Sequence, residues 1–424
     1  MVSEYCDRFH NNNRSPRIAY SGRVYDHADM VNLVDASLDF WLTSGHYTEE
    51  FEKALCDYLS VDYCSFVNSG SSAVLLAFYA LTSPVLGDRR IMPGDEVITV
   101  ACTFPTTISP ILMYGAIPVF VDVTIPQYNI DTEKLESAIS EKTKAVILAH
   151  TMGNPFDIQT IKDFCDRHRL WLIEDNCDSL GSMYKFKSEM KYTGTVGDIG
   201  TSSFYPPHHI TTGEGGAVYT NNPLLHRIMR SLRDWGRDCT CPPGQDDTCG
   251  RRFSKQFGSL PFGYDHKYVY SHLGFNLKAT DLQAAIGCSQ LKKLDTFKET
   301  RQRNHALLAE KLKCLGDKII LPENLPESDP DWFGFLITCR NNLERNQLIN
   351  NLERQGIQTR MLFSGNIIRH PCFEHLVKGK DYRIVGDLKN TDRIMNDTFW
   401  IGVYPGLNEQ DLDRMANAIK EALK

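Results

Sequence analysis

The sequence of 424 residues lacks the features of several large protein classes. It has no run of about 18 apolar residues, the length that a membrane-spanning helix needs. Its first residues, MVSEYCDRFHNNNRSPR, are polar and lack the apolar segment of a secretory signal. No Lys- or Arg-rich run stands out, and 46 basic against 53 acidic residues give a net charge of −7, which argues against nucleic-acid binding. We therefore expect a cytoplasmic protein that binds neither membranes nor nucleic acid.

The composition that is present is typical of a globular protein. Hydrophobic residues make up 42% and charged residues 23% of the chain. A chain of this length usually forms more than one core. The 13 cysteines do not predict a disulfide framework in a cytoplasmic chain, so most are expected to be buried thiols that pack as small apolar groups.

Short apolar runs alternate with helical patterns through the first 220 residues. The clearest runs are EVITVA (96–101), IPVFVDV (117–123), KAVILAH (144–150) and LWLIED (170–175). Strands that are apolar on both faces are typical of a mostly parallel sheet covered by helices, so the pattern predicts an α/β fold. Ligands of such sheets bind at the carboxyl ends of the strands.

The pattern changes in the last third of the chain. A helix predicted over roughly 279–298 leads into a second helix, and a mixture of strand and helix patterns follows. We place a domain boundary near residue 300. The resulting prediction is an N-terminal segment (1–40), a large ligand-binding domain (41–300) and a smaller C-terminal α+β domain (301–424).

Three segments that follow predicted strands carry groups suited to a phosphorylated pyridine cofactor. NSGSSA (68–73) opens a helix, whose free N–H groups and serine hydroxyls form an anion site, although an ordinary helix cap is the alternative. In LIEDNCDSLGS (172–182), Asp175 could keep a pyridine nitrogen protonated; a surface position or metal ligation is the alternative for Asp175 and Asp178. Ser203 begins SFYPPHHITTGEGGA and could contact the phosphate.

Together these segments resemble the DegT/DnrJ/EryC1/StrS family of sugar aminotransferases, pyridoxal-phosphate enzymes of fold type I that act on nucleotide-linked keto-sugars. The resemblance extends over roughly residues 25–420. It implies a large domain with a mostly parallel seven-stranded sheet, a smaller α+β domain and a homodimer with shared sites.

The resemblance assigns the phosphate end of the cofactor to matching residues. Gly70, Ser71 and Ser72 would bind the phosphate, and Ser203 would contribute a further hydroxyl. Asn276, in GFNLKATDLQAAIG, would reach the cofactor phosphate of the neighbouring subunit.

The resemblance also assigns the ring end. Phe104, in ACTFPTT, would stack on the pyridine ring, Asp175 would pair with the ring nitrogen and Asp178 would meet the ring hydroxyl. The chain departs from the family at one position, because His208 stands where the family has the lysine that binds the cofactor covalently.

An imidazole cannot form a Schiff base, so the cofactor would be held noncovalently as pyridoxamine 5′-phosphate. Histidine exchanges protons near neutral pH, which suits His208 as a base beside the C4′ carbon of the cofactor. The alternative is a loop histidine in a non-catalytic relative. His209 is either a substrate or phosphate contact or an ordinary loop residue.

A second signal is the segment DWGRDCTCPPGQDDTCGRRF, which places Cys239, Cys241 and Cys249 within eleven residues. Such a loop can wrap around a metal: zinc accepts three or four thiolates and a [2Fe–2S] cluster takes four. Adding Cys177 gives the spacing C-x61-C-x-C-x7-C. This spacing, together with His208, resembles a narrower group of the family, the iron–sulfur 3-dehydrases of CDP-4-keto-6-deoxy-D-glucose.

The narrower resemblance implies removal of the sugar's C3 hydroxyl in 3,6-dideoxysugar biosynthesis, with pyridoxamine phosphate and a [2Fe–2S] cluster as cofactors. No dinucleotide-binding loop is visible, so a separate NADH-dependent flavin/iron–sulfur reductase would supply electrons. The alternatives are a cluster-free 3-dehydrase that regenerates its amine from glutamate, as in the GDP-colitose pathway, and a metal-stapled relative without catalysis. Arg360 and Arg369 are candidates for diphosphate contacts.

Overall fold

The structure is a computed structural model that describes residues 1–9, 16–340 and 344–424. Its α-helices are α1 (Val2–Phe9), α2 (His27–Asp39), α3 (His46–Leu59), α4 (Gly70–Ala80), α5 (Pro105–Tyr114), α6 (Leu135–Ala138), α7 (Ile158–His168), α8 (Pro223–Arg233), α9 (Asp281–Leu291), α10 (Leu294–Leu312), α11 (Arg345–Arg354), α12 (Lys389–Asp397) and α13 (Glu409–Ala422).

The strands alternate with these helices in the first half of the chain. They are β1 (Tyr63–Val67), β2 (Glu96–Val100), β3 (Ile117–Val121), β4 (Thr143–Ala149), β5 (Trp171–Asp175), β6 (Met183–Phe186), β7 (Glu189–Tyr192), β8 (Ile199–Ser203), β9 (Gly216–Thr220), β10 (Ile319–Ile320), β11 (Ser328–Asp329), β12 (Gly334–Cys339), β13 (Arg383–Ile384) and β14 (Thr398–Gly402).

The central sheet has the strand order β1-β9-β8-β5-β4-β2-β3-β13. Neighbouring strands from β8 to β13 are parallel, and only β9 runs antiparallel to its neighbours β8 and β1. The predicted mostly parallel sheet is therefore confirmed, but it contains eight strands rather than seven. The additional strand is β13, a two-residue strand from the C-terminal part that pairs with β3 through Arg383 and Val119.

The uninterrupted apolar runs are explained by burial on both faces of the sheet. Along β4, Ala145 and Ile147 belong to one core cluster, whereas Val146 and Leu148 belong to a second one. The first cluster includes residues of α4 and α8, and the second includes residues of α7. No helix in the part of the chain that the structure describes is long and apolar enough to cross a membrane.

The C-terminal part forms a second layer system. Strands β10, β12 and β14 form an antiparallel sheet whose core includes residues of α10, α11 and α13. The helix predicted over 279–298 is interrupted, since α9 ends at Leu291 and α10 begins at Leu294. The boundary predicted near 300 falls inside α10, and the division into three segments stays a prediction. A small third sheet joins β11, β6 and β7.

Candidate active site

A cavity of about 270 Å³, which we call the cofactor cavity, lies at the carboxyl ends of β4, β5 and β8. Eight residues that the sequence assigned to the cofactors or to catalysis line it: Gly70, Ser71, Phe104, Asp175, Cys177, Asp178, Ser203 and His208. Twelve further residues complete the lining: Tyr20, Val74, Thr106, Ala149, Met152, Tyr205, Pro207, Phe333, Arg360, Met361, Phe363 and Trp400. The structure thus brings together predicted site residues that are up to about 140 positions apart along the sequence.

The first turn of α4 packs directly against the end of β8. A Cβ atom on Gly70 would lie 2.3 Å from the Cβ of Ser203, so only glycine allows this approach. Ser71 lies in the same turn, where its hydroxyl is 3.1 Å from that of Thr106. The N-cap of α4 is Ser69, which accepts a hydrogen bond from the Ser72 amide, and Ser72 does not line the cavity. Free amides and hydroxyls at a helix start suit a phosphate.

Asp175 ends β5 and is 5% exposed. The hydroxyl of Thr107 donates to its carboxylate over 2.7 Å, and the amide of Cys177 donates over 3.3 Å. These contacts fix a carboxylate at the wall of the cavity, where it can accept a hydrogen bond from a protonated ring nitrogen. The sequence analysis did not predict a role for Thr107, although Thr107 lies one helical turn after Phe104. Phe104 lines the cavity and is 52% exposed there.

The acid before Asp175 has a different environment, because successive residues of a strand point to opposite faces. Glu174 is buried, contacts His150 Nε2 over 2.9 Å and accepts the amides of Gly194 and Val196. Burial opposes its ionisation, but the hydrogen bonds from His150 and these backbone groups hold the pKa of Glu174 below its usual value. Of the two adjacent acids, only Asp175 is available to a ligand in the cavity.

His208 is carried by the histidine loop (residues 204–212), which connects β8 with β9. Its Nε2 lies 3.1 Å from a carboxylate oxygen of Asp178, the residue predicted to meet the ring hydroxyl of the cofactor. A carboxylate accepts hydrogen bonds, so we assign the ring proton to Nε2. His208 Nδ1 is buried and has no hydrogen-bond partner among the described residues. In this assignment Nδ1 carries no proton.

The outer end of the cavity is formed by residues from distant parts of the chain. The Arg360 guanidinium lies 4.0 Å from the ring centre of Tyr20, and it donates to the Thr359 carbonyl. Arg369, the other arginine candidate, lies outside the cavity and pairs with Asp392 over 2.6 Å. No sequence signal indicated Tyr20, which comes from the segment before α2.

Asn276 lies outside the cofactor cavity of its own chain. Its side-chain oxygen accepts a hydrogen bond from Lys278 over 2.9 Å, and its backbone forms a bridge with Asp234. The role predicted for Asn276 in a neighbouring subunit stays a prediction.

The three clustered cysteines lie in the cysteine loop (residues 238–253). Burial opposes ionisation of Cys241, but hydrogen bonds from Thr248 and from Cys249 and Cys239 lower its pKa to about 7. The sulfur of Cys249 lies 3.6 Å from Nδ1 of His266. The three thiols are thus neighbours of one another.

Cys177 is not among these neighbours. Its sulfur lies beside Gly70 in the wall of the cofactor cavity, and burial together with Asp175 raises its pKa well above the usual value. Within residues 1–9, 16–340 and 344–424, no group of three or more His, Cys, Asp or Glu side chains is arranged to hold a metal ion. The structure of this one chain therefore does not assemble the predicted set of four cysteine ligands.

Comparisons with known proteins agree with this geometry. The model of the DegT/DnrJ/EryC1/StrS aminotransferase family matches residues 25–420. The lipopolysaccharide biosynthesis protein RfbH of Salmonella typhimurium is 50% identical, over 99% of this chain and 97% of that protein. The dTDP-4-dehydro-2,6-dideoxy-D-glucose 3-dehydratase of Saccharopolyspora spinosa is 48% identical, over 99% of this chain and 93% of that enzyme.

A solved structure gives the same result for the fold. The Escherichia coli GDP-4-keto-6-deoxy-D-mannose-3-dehydratase with bound hydrated PLP superposes with a TM-score of 0.84 at 26% identity, covering 95% of this chain and 99% of that one. The predicted α/β fold of the PLP-dependent fold type I transferases is confirmed.

Proposed function

Because the chain belongs to the DegT/DnrJ/EryC1/StrS aminotransferase family, we propose that it removes the C3 hydroxyl of a nucleotide-linked 4-keto-6-deoxysugar. One observation carries this proposal: among the described residues, His208 and not a lysine lines the cofactor cavity. A histidine cannot hold the cofactor covalently, so the exchange of amino groups through an enzyme lysine is replaced by another reaction. Two of the similar proteins are named as 3-dehydratases, which supports elimination at C3.

The cavity fits pyridoxamine 5′-phosphate. Gly70, Ser71 and Ser203 would hold the phosphate where α4 begins, Asp175 would hold the ring nitrogen and Phe104 would cover the ring face. Bound there, the cofactor supplies an amine that condenses with the sugar ketone and a ring that accepts electrons.

The residues around the ring then move the protons. Asp178 holds the His208 ring at the cavity, and this imidazole takes the proton from the C4′ carbon. In its acid form the same imidazole gives a proton to the departing C3 hydroxyl. Asp175 keeps the ring nitrogen protonated throughout. The absence of a lysine amine at this place disfavours return of the proton and therefore favours elimination.

Arg360 is the residue that we propose for the diphosphate of the substrate. Its guanidinium rests on Tyr20 at the outer end of the cavity and has no carboxylate partner among the described residues. A guanidinium of this kind binds phosphate oxygens through charge-assisted hydrogen bonds. Arg369 is less suited, since Asp392 already neutralises it outside the cavity.

We further propose CDP-4-keto-6-deoxy-D-glucose as the substrate, a [2Fe–2S] cluster on Cys177, Cys239, Cys241 and Cys249, an NADH-dependent reductase and a homodimer. The resemblance of the motifs and the proximity of the three loop thiols support the cluster. The position of Cys177 in the wall of the cofactor cavity does not fit a shared site with them in one chain. The proton transfers described above involve only residues of the cofactor cavity, and none of them requires the cluster.

The separation of Cys177 from the three loop cysteines favours one alternative, a cluster-free 3-dehydrase that regenerates its amine from glutamate. The superposed E. coli structure belongs to an enzyme named as a GDP-4-keto-6-deoxy-D-mannose 3-dehydratase. A metal-stapled relative without catalysis is disfavoured, because Asp175, His208 and the phosphate end of the cavity are all in place.

The test is an elimination half-reaction without reductase. The purified protein is loaded with pyridoxamine phosphate that carries deuterium at C4′, and CDP-4-keto-6-deoxy-D-glucose is added. We expect loss of deuterium only when sugar is present, because condensation with the ketone makes the C4′ proton acidic. Retention of the deuterium with the CDP-, GDP- and dTDP-linked sugars would contradict the proposed function.

The same preparation distinguishes the two dehydrases. Iron and sulfide content, measured after anaerobic purification, should be two of each per chain for a [2Fe–2S] enzyme. Turnover that requires glutamate and proceeds without iron would instead establish the cluster-free reaction.

A further inference from the structure

The two histidines of the histidine loop have different surroundings. His208 lines the cofactor cavity, whereas His209 is 1% exposed and its ring contacts Asp331, outside the loop. Nε2 of His209 lies 2.8 Å from the backbone carbonyl oxygen of Asp331, so this nitrogen carries the proton and donates. Since the two histidines share a peptide bond, whatever fixes His209 also limits the orientation of His208.

Arg301, from α10, contacts His209 at its backbone. Its Nη2 donates to the His209 carbonyl over 2.6 Å, and its Nη1 lies 3.4 Å from each carboxylate oxygen of Asp331. The Asp331 amide in turn donates to the hydroxyl of Ser182 over 2.7 Å. One residue pair therefore holds both the ring and the backbone of His209.

The charges in this buried group exclude His209 as a second proton carrier. Burial lowers the pKa of His209 well below its usual value, and the nearby Arg301 cation lowers it further. Burial raises the pKa of Asp331 to about 6, against the effect of Arg301. His209 is thus a neutral donor without access to the cavity, and its contribution is geometric.

The segment that holds His209 also contacts His208. Phe333 follows Asp331 by two residues, and its ring centre lies 5.4 Å from that of His208 and 6.1 Å from that of His209. The catalytic imidazole is therefore packed against the same segment that accepts the hydrogen bond from its neighbour.

A buried ion pair contributes little net stability, because removing both charges from water costs about as much as their attraction returns. The Arg301 and Asp331 side chains are only 4% and 0% exposed. A general base must lie within hydrogen-bond reach of its proton, and a displacement of about 1 Å can reduce a rate about 100-fold. The Arg301–Asp331 pair therefore contributes more to the geometry of the histidine loop than to the free energy of unfolding.

We propose that His209, Arg301 and Asp331 are positioning residues that hold the histidine loop so that the His208 ring stays at the wall of the cofactor cavity, beside the bound cofactor. The inference rests on the proposed role of His208 as the base.

Three variants test the proposal. His209→Leu removes the donor but keeps the bulk, and Arg301→Met removes the cation that binds the loop carbonyl. His209→Gln is the conservative variant, since its amide nitrogen can donate to the Asp331 carbonyl. His226→Leu is the matched control: His226 is a half-buried histidine of α8 that stacks on Tyr63 at 4.8 Å, away from the histidine loop, the 331–333 segment and the cofactor cavity.

The first readout does not depend on activity. The NMR signal of the His208 ring, recorded with ¹³C-labelled histidine and assigned with His208→Asn, reports its surroundings. We expect this signal to shift or broaden in His209→Leu and Arg301→Met, and to stay in place in His209→Gln and His226→Leu.

The second readout is deuterium loss from C4′ at saturating sugar. We expect His209→Leu and Arg301→Met to slow it by about 10- to 100-fold with KM changed less than about twofold, because a base is displaced while the sugar contacts remain. His209→Gln should restore the rate to within about threefold. His226→Leu should keep the rate.

An unchanged His208 signal in His209→Leu and Arg301→Met would overturn the positioning role, whatever the activity. If the wild-type protein releases no deuterium, the proposed function fails, and the NMR comparison still decides whether His209 and Arg301 orient His208. Should both variants fail to fold, Arg301→Lys carries the test, because it keeps the charge but cannot contact the carbonyl and the carboxylate together.

Discussion

The cofactor cavity and the cysteine loop differ in how their reactive groups are held. In the cavity, regular elements fix several groups: Asp175 ends a strand and is held by Thr107, and Gly70 begins a helix against Ser203. His208 lies on a loop, and Asp178 contacts its ring. The cysteine loop lies between Arg233 and Asp281, a fully described stretch in which neither an α-helix nor a strand forms. Its thiols contact one another and His266 instead.

This difference separates the proposed proton transfer, which depends on the cavity, from the proposed metal binding, which depends on the cysteine loop. Proton transfer needs groups placed within a few tenths of an ångström, and the strand ends provide that placement. A metal centre formed by loop residues is ordered in large part by the metal itself. We therefore expect changes in the cavity to affect elimination, and changes in the loop to affect metal content while elimination continues.

The largest effect is expected for His208→Asn. Asparagine cannot take up the proton from C4′, so deuterium loss should fall by about 10²- to 10⁴-fold, while pyridoxamine phosphate still binds. The measurement is deuterium loss by mass spectrometry, with cofactor binding followed by absorption. His168→Asn is the control, since His168 contacts Glu136 on the outside of the large sheet. A wild-type rate in His208→Asn would show that another group is the base.

A smaller effect is expected at the outer end of the cavity. Arg360→Met should weaken CDP binding by about tenfold or more, because a hydrogen bond to a charged group contributes about 1.5–3 kcal/mol. Arg369→Met is the matched control and should leave the affinity within about twofold, since its guanidinium is already paired with Asp392. Isothermal titration with CDP checks both. Equal losses in the two variants would contradict the assignment of Arg360.

The smallest effect on elimination is expected for Cys241→Ser. The serine should abolish the visible absorption and the iron content of the anaerobically purified protein, because an alcohol is a poor cluster ligand. Deuterium loss from C4′ should stay within about twofold, since separated sites act independently. If elimination stops while the far-UV circular dichroism is unchanged, the separation between cavity and loop is wrong.

Much of the cavity could be predicted because its residues follow strands in short motifs. Gly70, Asp175 and Ser203 are each adjacent to the strand that places them, so a local pattern identifies both the element and the site. Thr107 could have been found from helical spacing after Phe104. Tyr20 and Phe333 could not, since they reach the cavity only through the packing of segments far apart in the chain.

The errors in the predicted fold have the same origin. β13 has two residues, too few for a period-2 pattern, and it becomes a strand only by pairing with β3. The role of Asp178 at the ring hydroxyl stays a prediction. Its contact with His208 joins two loops, and no spacing in the sequence indicates that contact.

The proposed reaction requires that the cofactor be bound as the amine and without a covalent link to the protein. Mass spectrometry of the purified protein after borohydride reduction, with analysis of the released cofactor, tests it most directly. We expect unmodified polypeptide and free pyridoxamine phosphate. A pyridoxyl group attached to a lysine of the chain would contradict it.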